Sequence, residues 1–305
     1  MPISNYPQGF ANGINIRGIP ILNTYPGNIY WVHSGTGSNG NKGTFDRPFS
    51  TLDYAVGRCT AARGDIIVAK PGHVETVIAA AGLSLDVAGI ALVGLGIGSS
   101  RPQINFTTVV GADMNVDAAN ISMHNFLFTG GFDALTGPID VNAADFSLIQ
   151  CEYRDVTGQA TDVIVADANA HRLFIDNYFH NGAAAAGANS AIALIGMDNP
   201  VIQNFKIIGN FAVGGIDCRT TKVVDLIISN GYIWTKNAAD IAIVDTVTGS
   251  TGKIGPGLEL MLTDNAANIT TAVTGATFHM FDNVYVCNLA GEKAMLITWT
   301  ASTNA

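Results

Sequence analysis

The sequence has few charged residues, and very few of them are glutamate. Only 13% of its 305 residues are charged, and just four are glutamate: Glu75, Glu152, Glu259 and Glu292. With 48% hydrophobic residues, the chain has enough apolar content to build a core, so disorder is not expected. The many aspartates and 34 glycines are typical of turns and strand ends, and they favour short strands over long helices.

Three further absences exclude broad function classes. The chain carries a net charge of −9 and has no basic run, so we expect no nucleic-acid partner. It has no apolar run of about 18 residues, so we expect no membrane span. Residues 1–10 (MPISNYPQGF) lack the basic and apolar regions of a signal peptide, so we expect no export.

Metal and cofactor signatures are also missing. The histidines form no HxH, HxxxH or HExxH pattern, and the cysteines form no CxxC pair, so we predict no metal, no cofactor and buried free thiols. The glycine-rich residues 34–43 lack the GK[ST] ending of a phosphate loop and are predicted to be a surface loop. The residues concerned are His33, His73, His124, His171, His180, His279, Cys59, Cys151, Cys218 and Cys287.

A motif that returns about every 26 residues dominates what is present. It alternates apolar residues, places an amide next, and ends with an apolar or aromatic pair, as in residues 121–128 (ISMHNFLF) and 201–207 (VIQNFKI). A fixed period of this size indicates a repeat architecture. The amide falls at Asn125, Gln150, Asn177, Asn204, Asn230 and Asn283.

A second series of short apolar strands keeps the same period. It comprises residues 139–141, 163–165, 192–195, 216–218 and 241–244. One such repeat cannot bury its own apolar face, whereas stacked repeats can. We therefore predict an all-β fold, a single-stranded right-handed parallel β-helix of the pectate-lyase type, with about eight coils over residues 85–290.

The repeated amides have a structural explanation within such a coil. At a corner between strands, stacked amides can hydrogen-bond to one another, and asparagine tolerates the bend. We predict that the six residues form a buried structural ladder and not a binding site. Gly255-Pro256-Gly257 replaces the motif in one coil, so we expect a break or bulge there.

The two ends lie outside the repeat. Residues 1–28 are predicted to be an N-terminal arm, 29–290 the β-helix domain and 291–305 a C-terminal tail. Residues 29–33 read as a strand, 50–62 as a helix capped by Ser50 or Thr51, and 66–69 as a buried strand.

The N-terminal motifs resemble the entry segment of right-handed parallel β-helix proteins. The resemblance implies that the helix plugs the end of the stack and that the strand after Gly64-Asp65 opens the first coil. The matching residues are Tyr30-Trp31-Val32, Gly43-Thr44, Pro48-Phe49-Ser50-Thr51-Leu52, Ala55, Gly64-Asp65-Ile66-Ile67-Val68 and Pro71-Gly72.

Residues 10–21 (FANGINIRGIPI) and 65–76 (DIIVAKPGHVET) are similar to uncharacterised virion proteins of tailed bacteriophages. The resemblance implies a homotrimer, used either as a tail spike or fibre or as a decoration protein on the head. Enzymes of this fold are polysaccharide lyases and glycoside hydrolases, which include tail-spike depolymerases.

Hydrolysis needs two carboxylates that flank one glycosidic bond. The candidates are Asp140 with Asp162 or Asp167, and Asp217 with Asp240 or Asp245, because they lie on or beside the second strand series. For a lyase, Arg219 beside Asp217 is the suggestive pair. Strand-end capping and a salt bridge explain these residues more simply, so no catalytic residue is predicted.

Together these features predict a non-enzymatic virion structural protein. The preferred role is a trimeric head decoration (cement) protein that binds the major capsid protein through its arm and tail. The alternative is a tail fibre, tail spike or baseplate component that binds or depolymerises host surface polysaccharide.

Overall fold

The computed structural model describes most of the chain from residue 27 onward. It covers 14–16, 19–21, 27–156, 158, 160–183, 185, 187–218, 220–237, 241–263, 272–274, 278–280, 284–289, 291 and 293–295. The predicted arm and tail, and the predicted ladder residue Asn283, therefore lie almost wholly or wholly outside the described residues. The described arm residues include one antiparallel pair, Ile14–Ile16 with Ile19–Ile21.

Each coil contributes three strands, which form three faces that we call A, B and C. Face A contains Ile29–Val32, Ile66–Ala69, Ala91–Gly94, Ser122–His124, Ser147–Ile149, Phe174–Asp176, the first half of Val201–Gly209, the first half of Leu226–Thr235, Gly252–Ile254 and Phe278–Met280. Face B contains Val74–Val77, Gln103–Phe106, Leu127–Gly130, Glu152–Asp155, Phe179–Asn181, the second halves of those two long strands, Leu258–Leu262 and Val284–Asn288. Face C contains Leu83–Leu85, Met114–Val116, Thr136–Val141, Asp162–Ala166, Ser190–Leu194, Ile216–Asp217, Ile243–Val244 and Val273–Thr274.

Strands pair in parallel with their counterparts one coil away. On face A, Ser122 pairs with Ser147, which pairs in turn with Phe174. On face C, Ile164 pairs with Ile192, and Ile192 with Ile216. This pattern confirms the predicted right-handed parallel β-helix with about 26 residues per coil. One side chain thus sits about 4.8 Å above its counterpart in the next coil.

Alternate residues of every strand point into the coil and form one continuous core. Ile175, Ile202 and Ile228 line it from face A, and Ile164 and Ile192 line it from face C, all fully buried. Burying an isoleucine contributes about 1.5–3 kcal/mol. Because each coil provides only a few such residues, the stack has to be long to be stable.

The repeated amides mark the corner between faces A and B. Asn125, Gln150, Asn177, Asn204 and Asn230 all adopt a left-handed backbone, with φ between 51° and 61°. There the backbone N–H groups donate to carbonyls of the next coil. Asn125 donates to Ile149, Gln150 to Asp176 and Asn177 to Gln203. Asparagine tolerates this conformation better than most residues. The motif is thus two strands joined at a corner residue.

The side chains at this corner differ from the predicted buried ladder. Four of the five are exposed and Asn125 is half-buried. Among the described residues, none of these amides bonds to another: Asn125 donates to the Gly94 and Gly96 carbonyls, and Asn204 donates to Asp176. The left-handed backbone turns each side chain outward, so the corner needs the conformation and not the stacking.

The coil that lacks the amide is bulged, as predicted. Ile228 pairs with Ile254 before the corner and Gly231 with Leu258 after it, so the later coil holds one extra residue between the two pairs. Faces A and B both continue past it, through Gly252–Ile254 and Leu258–Leu262.

The capping helix is much shorter than the predicted 50–62. It spans Leu52–Val56, is capped by the Thr51 side chain and ends at Gly57, after which the chain forms turns. Glycine at this point stops the helix after little more than one turn. The carboxylate of Glu75 accepts the Leu52 N–H at 2.6 Å, which ties the helix to face B.

The predicted burial of the cysteines holds only in part. All four cysteines are free, but only Cys151 and Cys218 are buried, whereas Cys59 and Cys287 are partly exposed. Within the described part of the chain, no helix has both the length and the apolar character needed to cross a bilayer.

The corner predicts a conformational test at Asn177. Asn177→Gly should leave the free energy of unfolding nearly unchanged, whereas Asn177→Val should lower it by about 1–2 kcal/mol, since β-branched residues resist φ near 50°. The control is Asn181→Val, on an exposed strand position of face B where valine fits. Equal loss in the two Asn177 variants, measured by urea unfolding, would contradict the conformational role.

Candidate active site: a carboxylate cluster on face C

Face C carries a column of outward side chains that begins with polar residues. Asn115 pairs with Asp140, and Asp140 with Val165, so these three lie at the same place in successive coils. Asn115 and Asp140 are half-buried. The column therefore places an amide and a carboxyl next to each other in successive coils.

A second polar column follows immediately after the strands. The N–H groups of Asp117, Asn142 and Asp167 donate to the carbonyls of Leu85, Val116 and Val141, at 3.1, 3.0 and 3.0 Å. Each of the three thus occupies the first position after a face C strand in its own coil. Asp113 stands just before the strand Met114–Val116. The charges of Asp113, Asp117 and Asp167 all act on Asp140, so the four aspartates form one cluster.

The side-chain amide of Asn142 joins two of these carboxylates. Its Nδ2 lies 3.1 Å from Asp140 Oδ2 and 3.2 Å from Asp117 Oδ1. Those two oxygens are therefore at most about 6.3 Å apart. Retaining glycosidases hold their carboxyl pair about 5–5.5 Å apart and inverting ones about 6.5–9.5 Å apart, so this bound fits the retaining arrangement and is too short for the inverting one.

The surroundings make Asp140 harder to ionise than an ordinary aspartate. Burial raises the pKa of its carboxyl, and the nearby charges of Asp113, Asp167 and Asp117 raise it further, against the lowering effect of the Asn142 amide. Burial and Asp117 likewise raise the pKa of Asp113, although its bond from the Ala81 N–H opposes them. A raised pKa favours the protonated form of a carboxyl, which is the form that a general acid needs.

Asn115 adds an unsatisfied acceptor beside Asp140. Its Oδ1 is buried and has no hydrogen-bond partner among the described residues. Buried polar atoms are normally paired, so such an atom calls for a donor. A protonated Asp140 or a ligand hydroxyl would supply one.

Of the predicted partners of Asp140, the structure brings Asp167 into the cluster but not Asp162. Asp162 begins its strand, away from Asp167, and accepts from Ser190 Oγ at 2.6 Å and Asn189 Nδ2 at 3.3 Å. It caps the neighbouring coil. Asp113 and Asp117 were not among the predicted candidates because they flank Met114–Val116, one coil before the first strand of the predicted series. The signal was present, since Asp117, Asn142 and Asp167 are spaced by 25 residues.

The second predicted pair is close but inaccessible. Asp217 and Asp245 lie in adjacent coils, and the pKa of Asp245 is raised by burial and then by Asp217. Only 1% of Asp245 is exposed, and it accepts the Val247 N–H at 2.9 Å, as a turn cap does. Asp240 and Arg219, the other residues considered, lie outside the described residues. Where side chains are described, no three His, Cys, Asp or Glu groups are placed to hold a metal ion.

Comparison with known proteins identifies proteins of similar fold but assigns the chain to no family. No protein-family profile matches the chain, and no curated protein matches it. Among solved structures, a rhamnogalacturonan lyase is similar, with a TM-score of 0.50 and 12% identity over 78% of this chain and 74% of that chain. A GH136 lacto-N-biosidase from Eubacterium ramulus has a TM-score of 0.48 and 13% identity over 82% of this chain and 57% of that chain. This chain thus spans little more than half of the biosidase.

The prediction that the protein is not an enzyme is contradicted by this likeness. The coil architecture of the chain is shared with a rhamnogalacturonan lyase, so the fold is one that carries polysaccharide chemistry. The repeated motif accounts for the core and predicts no catalytic residue. A solenoid leaves its outer faces free, however, and the same register that builds the core also lines up carboxylates outside it.

The raised pKa of Asp140 predicts a pH-dependent stability effect. A carboxyl with a raised folded-state pKa stabilises the fold while protonated, and this contribution is lost as pH rises through that pKa. Asp140→Asn should therefore raise the melting temperature at pH 7 and leave it unchanged near pH 3, where the wild-type carboxyl is also neutral. A lower melting temperature for the variant at pH 7 would contradict the proposed crowding of charge.

Proposed function

We propose that the protein cleaves a polysaccharide by retaining hydrolysis on face C, with Asp140 as general acid and Asp117 as nucleophile. The observation that carries the proposal is the Asn142 amide, which holds both carboxylates within about 6.3 Å of each other. The fold shared with a polysaccharide-acting enzyme supports it.

The two carboxyls would have opposite tasks. The protonated Asp140 gives its proton to the glycosidic oxygen as the bond from the anomeric carbon to that oxygen breaks. The Asp117 carboxylate attacks the anomeric carbon and forms a covalent glycosyl–enzyme ester. A water molecule then hydrolyses this ester, and the deprotonated Asp140 takes the proton of that water. Asn142 donates to both side chains and holds their relative position. Burial, and then the charges of Asp113, Asp167 and Asp117, raise the pKa of Asp140, which favours the protonated form that a general acid needs.

The shape of the site favours cleavage inside a long chain. Asp117 is exposed and Asp113, Asp140 and Asp167 are half-buried on the outside of a rod, not in an enclosed cavity. A polymer can lie across such a face at any point along its length, whereas a closed pocket accepts only a chain end. We therefore propose an endo-acting hydrolase.

The setting that we propose is the particle of a tailed bacteriophage, as a homotrimeric tail spike. The similarity of residues 10–21 and 65–76 to phage virion proteins supports a virion component, and a site for polysaccharide favours the tail, which meets the host surface. The proposed partners are other copies of the chain, other virion proteins and a host surface glycan. A head decoration protein bound to the major capsid protein is the competing location.

The catalytic assignment predicts a large and specific loss of activity. Asp140→Asn should lower the rate of reducing-end release from a substrate polysaccharide by about 10²–10⁴-fold, because the amide cannot donate the proton. The matched control is Asp162→Asn, on the same face but outside the cluster, which should retain activity. Loss in Asp162→Asn with activity kept in Asp140→Asn would overturn the assignment. Failure of the purified wild-type protein to cleave host surface glycan would overturn the activity.

The number of copies per particle distinguishes a tail protein from a head decoration protein. Quantitative mass spectrometry of purified particles should find a handful of copies of a tail protein, set by the tail symmetry. Hundreds of copies per particle would contradict the tail location and support the head decoration protein instead.

A further inference from the structure

Face B carries a column of outward side chains that are all aromatic or charged. Glu152, Phe179, Lys206, Tyr232, Glu259 and Tyr285 follow one another in six successive coils, each paired with the next. We call these six residues the face B ladder. The carboxylate cluster lies on face C, so the ladder is a separate feature.

Aromatic and charged residues alternate along the ladder. Phe179, Tyr232 and Tyr285 occupy every second coil, about 10 Å apart along the axis. Lys206 and Glu259 occupy the coils between them. The Lys206 Nζ lies 5.5 Å from the Phe179 ring centre and 5.8 Å from the Tyr232 ring centre, so the lysine bridges two aromatic platforms.

Two grooves on the described surface lie along this ladder. A groove of about 370 Å³ at one end is lined by Arg101, Glu152 and Phe179 together with the corner amides of Asn125, Gln150 and Asn177. A groove of about 460 Å³ at the other end is lined by Tyr232, Glu259, Tyr285 and Lys293. Lys206 stands between the two grooves, so a chain that occupies both must cross it.

The ladder carries a local excess of positive charge on an acidic protein. Glu152 forms salt bridges with both Arg101 and Arg154, so these three side chains together carry a net charge of +1. Lys206 adds a second, and among the described residues it forms no salt bridge. Lys236, 4.9 Å from the Trp234 ring centre beside the ladder, adds a third, and Lys293 balances Glu259. The chain as a whole has a net charge of −9.

We infer that face B is a binding surface for a linear acidic polysaccharide. The aromatic rings would stack on the apolar faces of alternate sugars, since an extended glycan turns the same face to a flat surface at every second ring. Lys206 and the arginines near Glu152 would pair with its carboxylate or sulfate groups. The corner amides would hydrogen-bond to sugar hydroxyls. This surface lies apart from the cleavage site, so binding does not depend on the proposed hydrolysis.

The test uses affinity electrophoresis of the full chain carrying Asp140→Asn, so that any substrate stays intact. The gels contain polygalacturonate, alginate, hyaluronate or chondroitin sulfate, with galactomannan and mixed-linkage β-glucan as neutral polymers. We expect retention by at least one acidic polymer and weaker retention at 0.5 M salt, where charge pairs are screened. No retention, or retention by the neutral polymers alone, would overturn the inference.

Two variants locate the surface. Tyr232→Ala and Lys206→Met should each weaken retention by about tenfold, which corresponds to one lost stacking platform or one lost charge pair. The matched controls are Phe132→Ala, on an exposed turn, and Lys222→Ala, on another exposed turn, and both should bind like the parent protein. Equal retention by parent and ladder variants would overturn the inference. Lys206→Met keeps the apolar stem, so it separates lost binding from lost stability.

Discussion

The parallel register between coils is the constraint on which the rest of the structure depends. It places each residue about 4.8 Å from the one roughly 26 positions later, on every face at once. The same pairing that stacks Ile164, Ile192 and Ile216 into the core also stacks Asn115 on Asp140 outside it. The core and the surface therefore share one sequence period. Polar residues that recur at that period on the outside of the coil come to lie side by side and form a functional group.

This constraint has an electrostatic cost where the repeated residue is charged. The carboxylates of Asp113, Asp117 and Asp167 lie near Asp140 because the coils bring them there, and their repulsion adds to burial in raising the pKa of Asp140. Asn142, at the position that would otherwise hold one more charge in the column, donates to two of them. On face B the charges of opposite sign instead alternate with rings, so Lys206 is held between Phe179 and Tyr232.

The period made the fold predictable, because both the amide motif and the face C strands recur at it. The direction of the corner side chains was not predictable from the period alone: Asn177 and Gln150 turn outward because the left-handed backbone decides it. The length of the helix was not predictable from the apolar pattern of residues 50–62, because that pattern takes no account of Gly57, where the helix ends. Asp140 and Asp167 were found as candidates, but Asp117 required knowledge of where each strand ends. The ladder through Phe179, Lys206 and Tyr232 required the register of face B.

The central claim is that burial, together with the carboxylates that the coil register brings to Asp140, raises the pKa of its carboxyl. The most direct measurement is a ¹³C NMR titration of the Asp140 carboxyl in the wild-type protein and in Asp167→Asn. The account predicts a pKa above that of an ordinary aspartate, about 3.9, and a fall toward that value when the Asp167 charge is removed. An ordinary pKa in the wild-type protein, or no change in the variant, would contradict it.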